Sequence, residues 1–215
     1  MNTQARDLLR GLPVFPEQMR PFDPGTAPAS PVDLFTEWLS AAIDDGVPAP
    51  HAVTLSTTDD DGRPDARVVI LRDLDENGFS FATSSESPKG RQLRETPYAA
   101  LTFFWHAAGR QVRVSGPVTP GTAEENDADF RRRHPTARAL VLAGGQSEVI
   151  PEGESVSAAV ERELAGIEGK GSATWTVYTV APERLEFWQA DAERRHTRLR
   201  YVHDGEGWRR DVLWP

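Results

Sequence analysis

The sequence predicts a mostly β fold, an antiparallel barrel with helices packed outside it. Three observations carry this. Short runs of period-two hydrophobicity recur from about residue 52 to the end. Turn signals such as Asp61-Gly62, Asn77-Gly78 and Asp204-Gly205 separate them. Only a few segments carry helical spacing.

The elements follow in order. Residues 11–31 are rich in Pro and poor in periodicity. Each Pro removes a donor and restricts its predecessor, so an extended arm is expected. Phe15 and Phe22 within it call for an apolar surface to lie on. Ser30 caps a helix with Pro31 at its first position, and Leu34, Phe35, Trp38, Leu39, Ala42 and Ile43 form its apolar face until Gly46. Strands are expected at 52–57, 66–72 and 79–83, with turns at 59–62 and 77–78. A short helix covers Pro88 to Glu95. Strands follow at 99–105 and 110–118, then a helix from Thr122 to Arg133 with Glu124 and Glu125 in its first turn, where the dipole favours them. A helical pattern spans 154–167. Strands at 174–180, 184–189, 199–203 and 208–213 close the chain, the last two joined by the turn at 204–207. The expected division is an N-terminal arm over 1–30 and one barrel domain over 31–215.

Composition bounds the function. The 215-residue chain carries a net charge of -9, from 24 basic and 33 acidic residues. That mean field repels a polyanion, so nucleic acid is not an expected partner. No apolar run approaches the roughly 20 residues that span a bilayer. Met1 to Arg10 holds no apolar stretch fit for a signal peptide, and a cytoplasmic location is expected. Cysteine is absent, which excludes disulfides, thiolate metal sites and cysteine nucleophiles. No metal site is expected. Two basic clusters stand out, Arg131-Arg132-Arg133 and Arg194-Arg195-His196 with Arg198 and Arg200. They suit a small anionic ligand, although surface ion pairing would use the same arginines.

Four constellations could carry chemistry. Arg67 precedes Thr83-Ser84-Ser85-Glu86-Ser87-Pro88-Lys89-Gly90, where hydroxyls, a lysine and a helix start meet. A helix start presents free N–H groups to a phosphate, Lys89 adds a full charge, and Arg67 can grip oxygens bidentately. A Ser-capped helix with a solvated lysine reads equally well. Gln111, in Arg110-Gln111-Val112-Arg113, offers a donor and an acceptor to a flat ring, or is an outward strand residue. Gln146-Ser147 sits in a Gly-rich loop. Glu186-Phe187-Trp188-Gln189 leads into the basic turn with His196, which suits a flat anion, or gives a core Trp and a solvated turn.

Their order and spacing change the reading. The stretches Arg67-Val68-Val69-Ile70-Leu71-Arg72, Phe81-Ala82-Thr83 to Ser87-Pro88-Lys89-Gly90, Arg110-Gln111-Val112-Arg113, Gln146-Ser147 and Glu186-Phe187-Trp188-Gln189, ahead of the Arg-x-His-x-Arg at 194–198, resemble the pyridoxine/pyridoxamine 5′-phosphate oxidase family. The resemblance runs from about residue 30 to the C-terminus. It implies a homodimer of FMN-binding split β-barrels with flavin at the interface. The positions matching its FMN ligands are Arg67, Val68, Val69, Ile70, Leu71, Arg72, Ala82, Thr83, Lys89, Gln111, Gln146, Ser147, Trp188 and Arg198. Arg67 and Lys89 would hold the phosphate and Gln111 the isoalloxazine edge, while Gln146, Ser147, Trp188 and Arg198 would come from the partner subunit. Pro88 stands where the family often has Arg.

The implied reaction moves a hydride from a carbon bearing an amine or alcohol to flavin, which dioxygen reoxidises. Arg194 and His196 match the residues over the substrate, Arg194 to orient it and His196 to hydrogen-bond or manage a proton near the reacting carbon. The substrate-phosphate pocket departs from the pattern. Arg72, Asp129, Arg133 and Ala137 stand where the family has Lys, Tyr, Arg and Ser. Asp129 is expected to repel phosphate, and Ala137 removes a donor. The arm Leu12-Pro13-Val14-Phe15-Pro16-Glu17 resembles the related flavin oxidases of phenazine biosynthesis. The leading expectation is an oxidase of pyridoxine or pyridoxamine 5′-phosphate. The alternative is the same flavin chemistry on a carboxylated heterocycle of phenazine type. A flavin-binding protein without turnover, or a deazaflavin or haem binder on the same barrel, would show itself by its visible spectrum.

Overall fold

The computed structural model of the protein describes residues 3–10, 12, 14–16 and 18–215. Pro13 and Glu17 of the expected arm lie outside them. The elements in chain order are helix α1 (Thr3–Arg10), helix α2 (Pro31–Asp44), strands β1 (Ala52–Thr58), β2 (Pro64–Ile70), β3 (Asp73–Asp75) and β4 (Gly78–Ser84), helix α3 (Pro88–Glu95), strands β5 (Tyr98–Trp105) and β6 (Arg110–Pro120), helices α4 (Ala123–Arg132), α5 (Pro135–Ala143) and α6 (Val156–Leu164), and strands β7 (Trp175–Val180), β8 (Arg184–Gln189), β9 (Thr197–His203) and β10 (Trp208–Leu213). The fold is mostly β and the pairings described are antiparallel, as the alternation implies.

Three elements go beyond the sequence reading. Helix α1 precedes the arm. Strand β3 pairs with β4 across the Asn77-Gly78 turn, Leu74 opposite Phe79. Helix α5 starts at Pro135, and the His134 ring nitrogen accepts from the Thr136 N–H at 3.3 Å. The other helix starts follow side-chain chemistry. Ser30 caps α2 by accepting from the Asp33 N–H. Thr122 and Glu125 form a reciprocal capping box at α4.

Contacts divide the chain into two units. The first comprises the chain to Pro50, Thr102–Val114 and Arg184–Pro215. Its core gathers aromatic rings. Phe35 meets Phe103 at 4.8 Å, Trp38 meets Phe187 at 5.3 Å, and Phe187 meets Tyr201 at 5.7 Å. Each such ring buried removes some 1.5–3 kcal/mol of apolar exposure from the folded state. Two aromatic polar groups here are satisfied. Tyr201 donates to the Pro28 carbonyl at 2.8 Å and Trp105 to that of Pro50 at 2.9 Å. The arm is thereby fastened at Pro28. Strand β9 lies between β8 and β10, with Trp188 opposite Arg198 and Arg200 opposite Asp211.

The second unit comprises His51–Leu101 and Ser115–Glu183. Here β1 pairs with β2, placing Leu55 opposite Arg67, and β4 pairs with β7, placing Thr83 opposite Thr176. Strand β1 alternates inward Val53, Leu55 and Thr57 with half-buried neighbours. Helices α5 and α6 pack on each other through Ala139, Val160 and Ile167, with Leu142 and Leu164 at the margin. Gly78 and Gly116 are required by close approach: a Cβ at either would collide with the carbonyl of Val180 or Ala181. Among the described residues no helix is long and apolar enough to cross a membrane, and no His/Cys/Asp/Glu group could hold a metal.

Candidate active site

The second unit holds a cation cluster at the start of α3. Ser87 caps that helix: its Oγ accepts from the Gly90 N–H at 3.3 Å and donates to the Ser84 carbonyl at 2.7 Å. Pro88 takes the first helical position. Gly90 is forced, because a Cβ there would meet the Ser84 and Ser85 carbonyls. This turn drives Lys89 inward, where it is 7% exposed. Its ammonium donates to Thr83 Oγ1 at 3.1 Å and Ser87 Oγ at 3.2 Å. No carboxylate pairs with it among the described residues. Burial, with the Arg67 charge added, lowers its pKa to about 8. Arg67 is held in turn. It donates to Thr57 Oγ1 at 2.5 Å and to Gln92 Oε1 at 3.3 Å, and pairs with Asp65. Thr57 and Gln92 had no place in the sequence reading, yet they fix the guanidinium.

Gln146, expected to serve from a partner subunit, has a partner in its own chain: its Oε1 accepts from Thr83 Oγ1 at 3.0 Å. Ser147 follows in a left-handed conformation at φ 75°. Along 67–71, Val68 and Ile70 are exposed and Leu71 is buried. Ala82 is half-buried.

Asp129 and Arg133 form a second cluster in this unit, joined by Arg72. The Asp129 side chain is 5% exposed. Its Oδ1 accepts from Arg72 Nε at 3.2 Å and Nη2 at 2.9 Å, and its Oδ2 from Trp175 Nε1 at 3.0 Å. The Arg133 guanidinium lies over the Trp175 ring at 3.8 Å from its centroid. Burial, then the Arg72 charge, lowers the Arg133 pKa. Asp129, expected to repel phosphate, is paired with Arg72, and Trp175, absent from the sequence reading, completes the cluster.

The first unit holds an aromatic and basic cluster at the ends of β8 and β9. The Trp188 and His196 rings pack tilted at 45°, 4.9 Å between centroids. Phe15 of the arm sits on both, 5.2 Å from Trp188 and 6.0 Å from His196, which gives that residue its expected apolar surface. The Val14 carbonyl lies 3.0 Å from His106 Nε2. The 191–196 turn is tied by Asp191. Its carboxylate accepts from the N–H groups of Glu193 (2.8 Å) and Arg195 (3.1 Å), and its carbonyl from that of Arg194 (3.0 Å). Arg194 is thereby held at φ 65°, a conformation that non-glycine residues avoid. The Asp191 N–H donates to His196 Nδ1 at 3.1 Å. That donor is unambiguous, so Nδ1 is the acceptor and the neutral ring carries its proton on Nε2. Asp191 was missed from sequence, although an Asp opening a tight turn is a known turn-former.

Gln111 is half-buried, and its side chain has no hydrogen-bond partner among the described residues. Arg198 is engaged: it donates to Glu186 Oε1 at 2.8 Å and 3.0 Å, and to the Trp214 carbonyl at 3.0 Å. The ion-pair alternative for the basic clusters holds for Arg131 with Asp127, Arg195 with Glu193 and Arg200 with Asp211. Arg133 and Arg194 have no ion-pair partner among the described residues.

Comparison with known proteins identifies the family. Residues 39–189 match the family model described as pyridoxamine 5′-phosphate oxidase, and 175–215 match the pyridoxine 5′-phosphate oxidase C-terminal dimerisation region. The chain is 42% identical over 194 residues to a pyridoxine/pyridoxamine 5′-phosphate oxidase of Pseudomonas paraeruginosa, covering 88% of this chain and 90% of that one. It is 42% identical over 192 residues to the Bordetella petrii protein of the same name, covering 88% and 91%. Among solved structures, PhzG from Burkholderia lata 383, in complex with tetrahydrophenazine-1-carboxylic acid, superposes with a TM-score of 0.87 at 32% identity, covering 93% of this chain and 98% of that chain. By these matches the chain belongs to the pyridoxamine 5′-phosphate oxidase family.

Proposed function

We propose that the protein is an FMN-dependent oxidase, working as a homodimer, that uses dioxygen to oxidise a small anionic heterocycle. One observation carries the reading: the Lys89 ammonium is buried beside Arg67, bonded to two hydroxyls, with no carboxylate paired to it among the described residues and Asp65 acting only from its place on Arg67. A buried cation without a paired counter-charge is costly unless an anion joins it. A phosphate dianion supplies that charge, while the Thr83 and Ser87 hydroxyls, which donate to Gln146 Oε1 and the Ser84 carbonyl, hold the ammonium in place. The Pro88 departure costs one cation and leaves this arrangement intact.

The other roles follow from the residues. Gln111 has a free amide to offer the polar edge of a flavin ring. Trp188 and Arg198 would serve the same flavin from a partner subunit. Gln146, bonded to Thr83, fits the phosphate end of its own chain better. When bound, FMN supplies the acceptor for a hydride from a substrate carbon and passes the electron pair to dioxygen, giving hydrogen peroxide. Arg194 orients the anionic substrate. His196 donates a hydrogen bond from Nε2 towards the reacting group and does not take a proton there. Asp191 holds both.

The names of the curated relatives favour pyridoxine or pyridoxamine 5′-phosphate as substrate. The Asp129–Arg72 pair favours a carboxylated heterocycle instead. The visible spectrum of the purified protein tests the flavin, with absorption bands near those of free FMN expected. Oxygen uptake with each substrate class then tests the oxidase. A protein that takes up no FMN, or holds it and consumes no oxygen with either class, overturns the proposal.

A further inference from the structure

The Arg72, Asp129 and Arg133 cluster carries a charge pattern of its own. Both Asp129 oxygens are engaged, one by Arg72 and the other by the Trp175 indole. The Trp175 ring in turn supports the Arg133 guanidinium. The Arg133 side chain has no hydrogen bond or ion pair among the described residues, and its Nε is buried without a partner. Two guanidinium groups and one carboxylate leave a single net positive charge. A carboxylate matches that charge. A phosphate ester, doubly charged at neutral pH, exceeds it by one and must also approach Asp129.

We propose that Asp129 is the specificity-determining residue of the substrate site: by occupying Arg72 and anchoring Trp175, it leaves Arg133 as the anion receptor and selects a carboxylated heterocycle over a phosphate ester. This rests on the oxidase reading, since it assigns these residues to substrate. Selectivity here comes from a repulsive element as well as an attractive one. An uncharged side chain at 129 would leave two guanidinium groups facing the ligand.

The test uses the FMN-loaded protein and two probes, phenazine-1-carboxylate and pyridoxal 5′-phosphate, each titrated against the absorbance of the bound flavin. Wild type is expected to bind the carboxylate about tenfold more tightly, within the range that one unit charge a few ångströms away gives between bulk water and a protein surface. Asp129→Asn keeps an acceptor for Trp175 and frees Arg72. It should move the ratio roughly tenfold towards pyridoxal 5′-phosphate, by tightening that probe rather than by losing the other. Should the single variant fail to fold, Arg72→Gln with Asp129→Asn removes both partners, keeps the net charge, and should retain the wild-type preference. Tighter binding of pyridoxal 5′-phosphate by wild type, or equal effects of Asp129→Asn on both probes, overturns the inference. Loss of the oxidase reading shows separately, as a protein that will not take up FMN at all.

Discussion

Raising the pH from 7 to 9 should loosen FMN, and the amount follows from Lys89. Desolvation is the main cause of its depressed pKa, with the Arg67 charge adding to it and Asp65 opposing it, and the result is about 8 against 10.5 ordinarily. The folded pKa lies below the unfolded one. The buried ammonium therefore costs the unliganded fold stability at every pH below about 8, and that cost is relieved as pH rises from 8 towards 10.5. Phosphate binding reverses the preference, because the dianion requires the ammonium form. With a pKa of about 8 in the free protein, Lys89 is nearly all charged at pH 7 and about one-tenth charged at pH 9. FMN affinity should therefore fall about tenfold across that interval, while the phosphate itself stays doubly charged. Quenching of flavin fluorescence, titrated at pH 7, 8 and 9, measures it. Lys89→Met should bind FMN more weakly at pH 7 and flatten the dependence. Riboflavin, which lacks the phosphate, serves as the control. A wild-type dissociation constant that does not change between pH 7 and 9 would refute the reasoning.

Two further outcomes follow from other parts of the chain. Asp191→Ala deletes the acceptor for the Glu193 and Arg195 N–H groups, at a cost of about 1–2 kcal/mol to the order of that turn. Oxygen-uptake assays should show reduced turnover while flavin content per chain stays at the wild-type level, and equal loss of both would contradict a positioning role. Trp214 is 90% exposed and Val212 69% exposed, both within the region matching the dimerisation model. Trp214→Arg should shift gel filtration towards monomer and lower the bound flavin, and a fully dimeric, flavin-loaded variant would argue against that surface as the dimer contact.

The parts legible in the sequence are those whose causes are local. Ser87-Pro88-Lys89-Gly90 declares a capped helix start within four residues, and α3 begins where that chemistry puts it. The Ser30-Pro31 and Thr122-Glu125 signals did the same for α2 and α4. The alternation that gave the strands is local too. Asp129 shows the opposite case. Its partners Arg72 and Trp175 lie 57 and 46 residues away, so no window of sequence could show that its charge is cancelled. Thr57 and Gln92 reach Arg67 from 10 and 25 residues away, and are hidden for the same reason. Strand β3 has three residues, too few to establish a period. Helix α5 follows the helix expected to end at Arg133 after a single residue, and its start shows only once His134 is seen to cap the helix that Pro135 begins.

The role of His196 divides on which of its nitrogens holds the proton, and the Asp191 backbone decides it. An N–H aimed at Nδ1 cannot be satisfied by a protonated Nδ1, so the neutral ring places its hydrogen on Nε2. A base at Nε2 would need the other tautomer, and adopting it would break this hydrogen bond. Two substitutions separate the roles because they copy different halves of the ring. Asn reproduces an acceptor near Nδ1 and lacks a donor near Nε2, whereas Gln can extend an amide N–H to the Nε2 position. If His196 works by donation, His196→Gln should keep much more turnover than His196→Asn, which loses one hydrogen bond to the reacting group, roughly a hundredfold effect in rate. If it were a base, neither amide could take the proton, and both would fall together by a similar factor. Rates in both variants are to be normalised to flavin content per chain, because the ring packs on Trp188 and Phe15. Single-turnover reduction of the bound flavin under anaerobic conditions gives the comparison without interference from oxygen, and equal losses in the two variants would return His196 to the role of base.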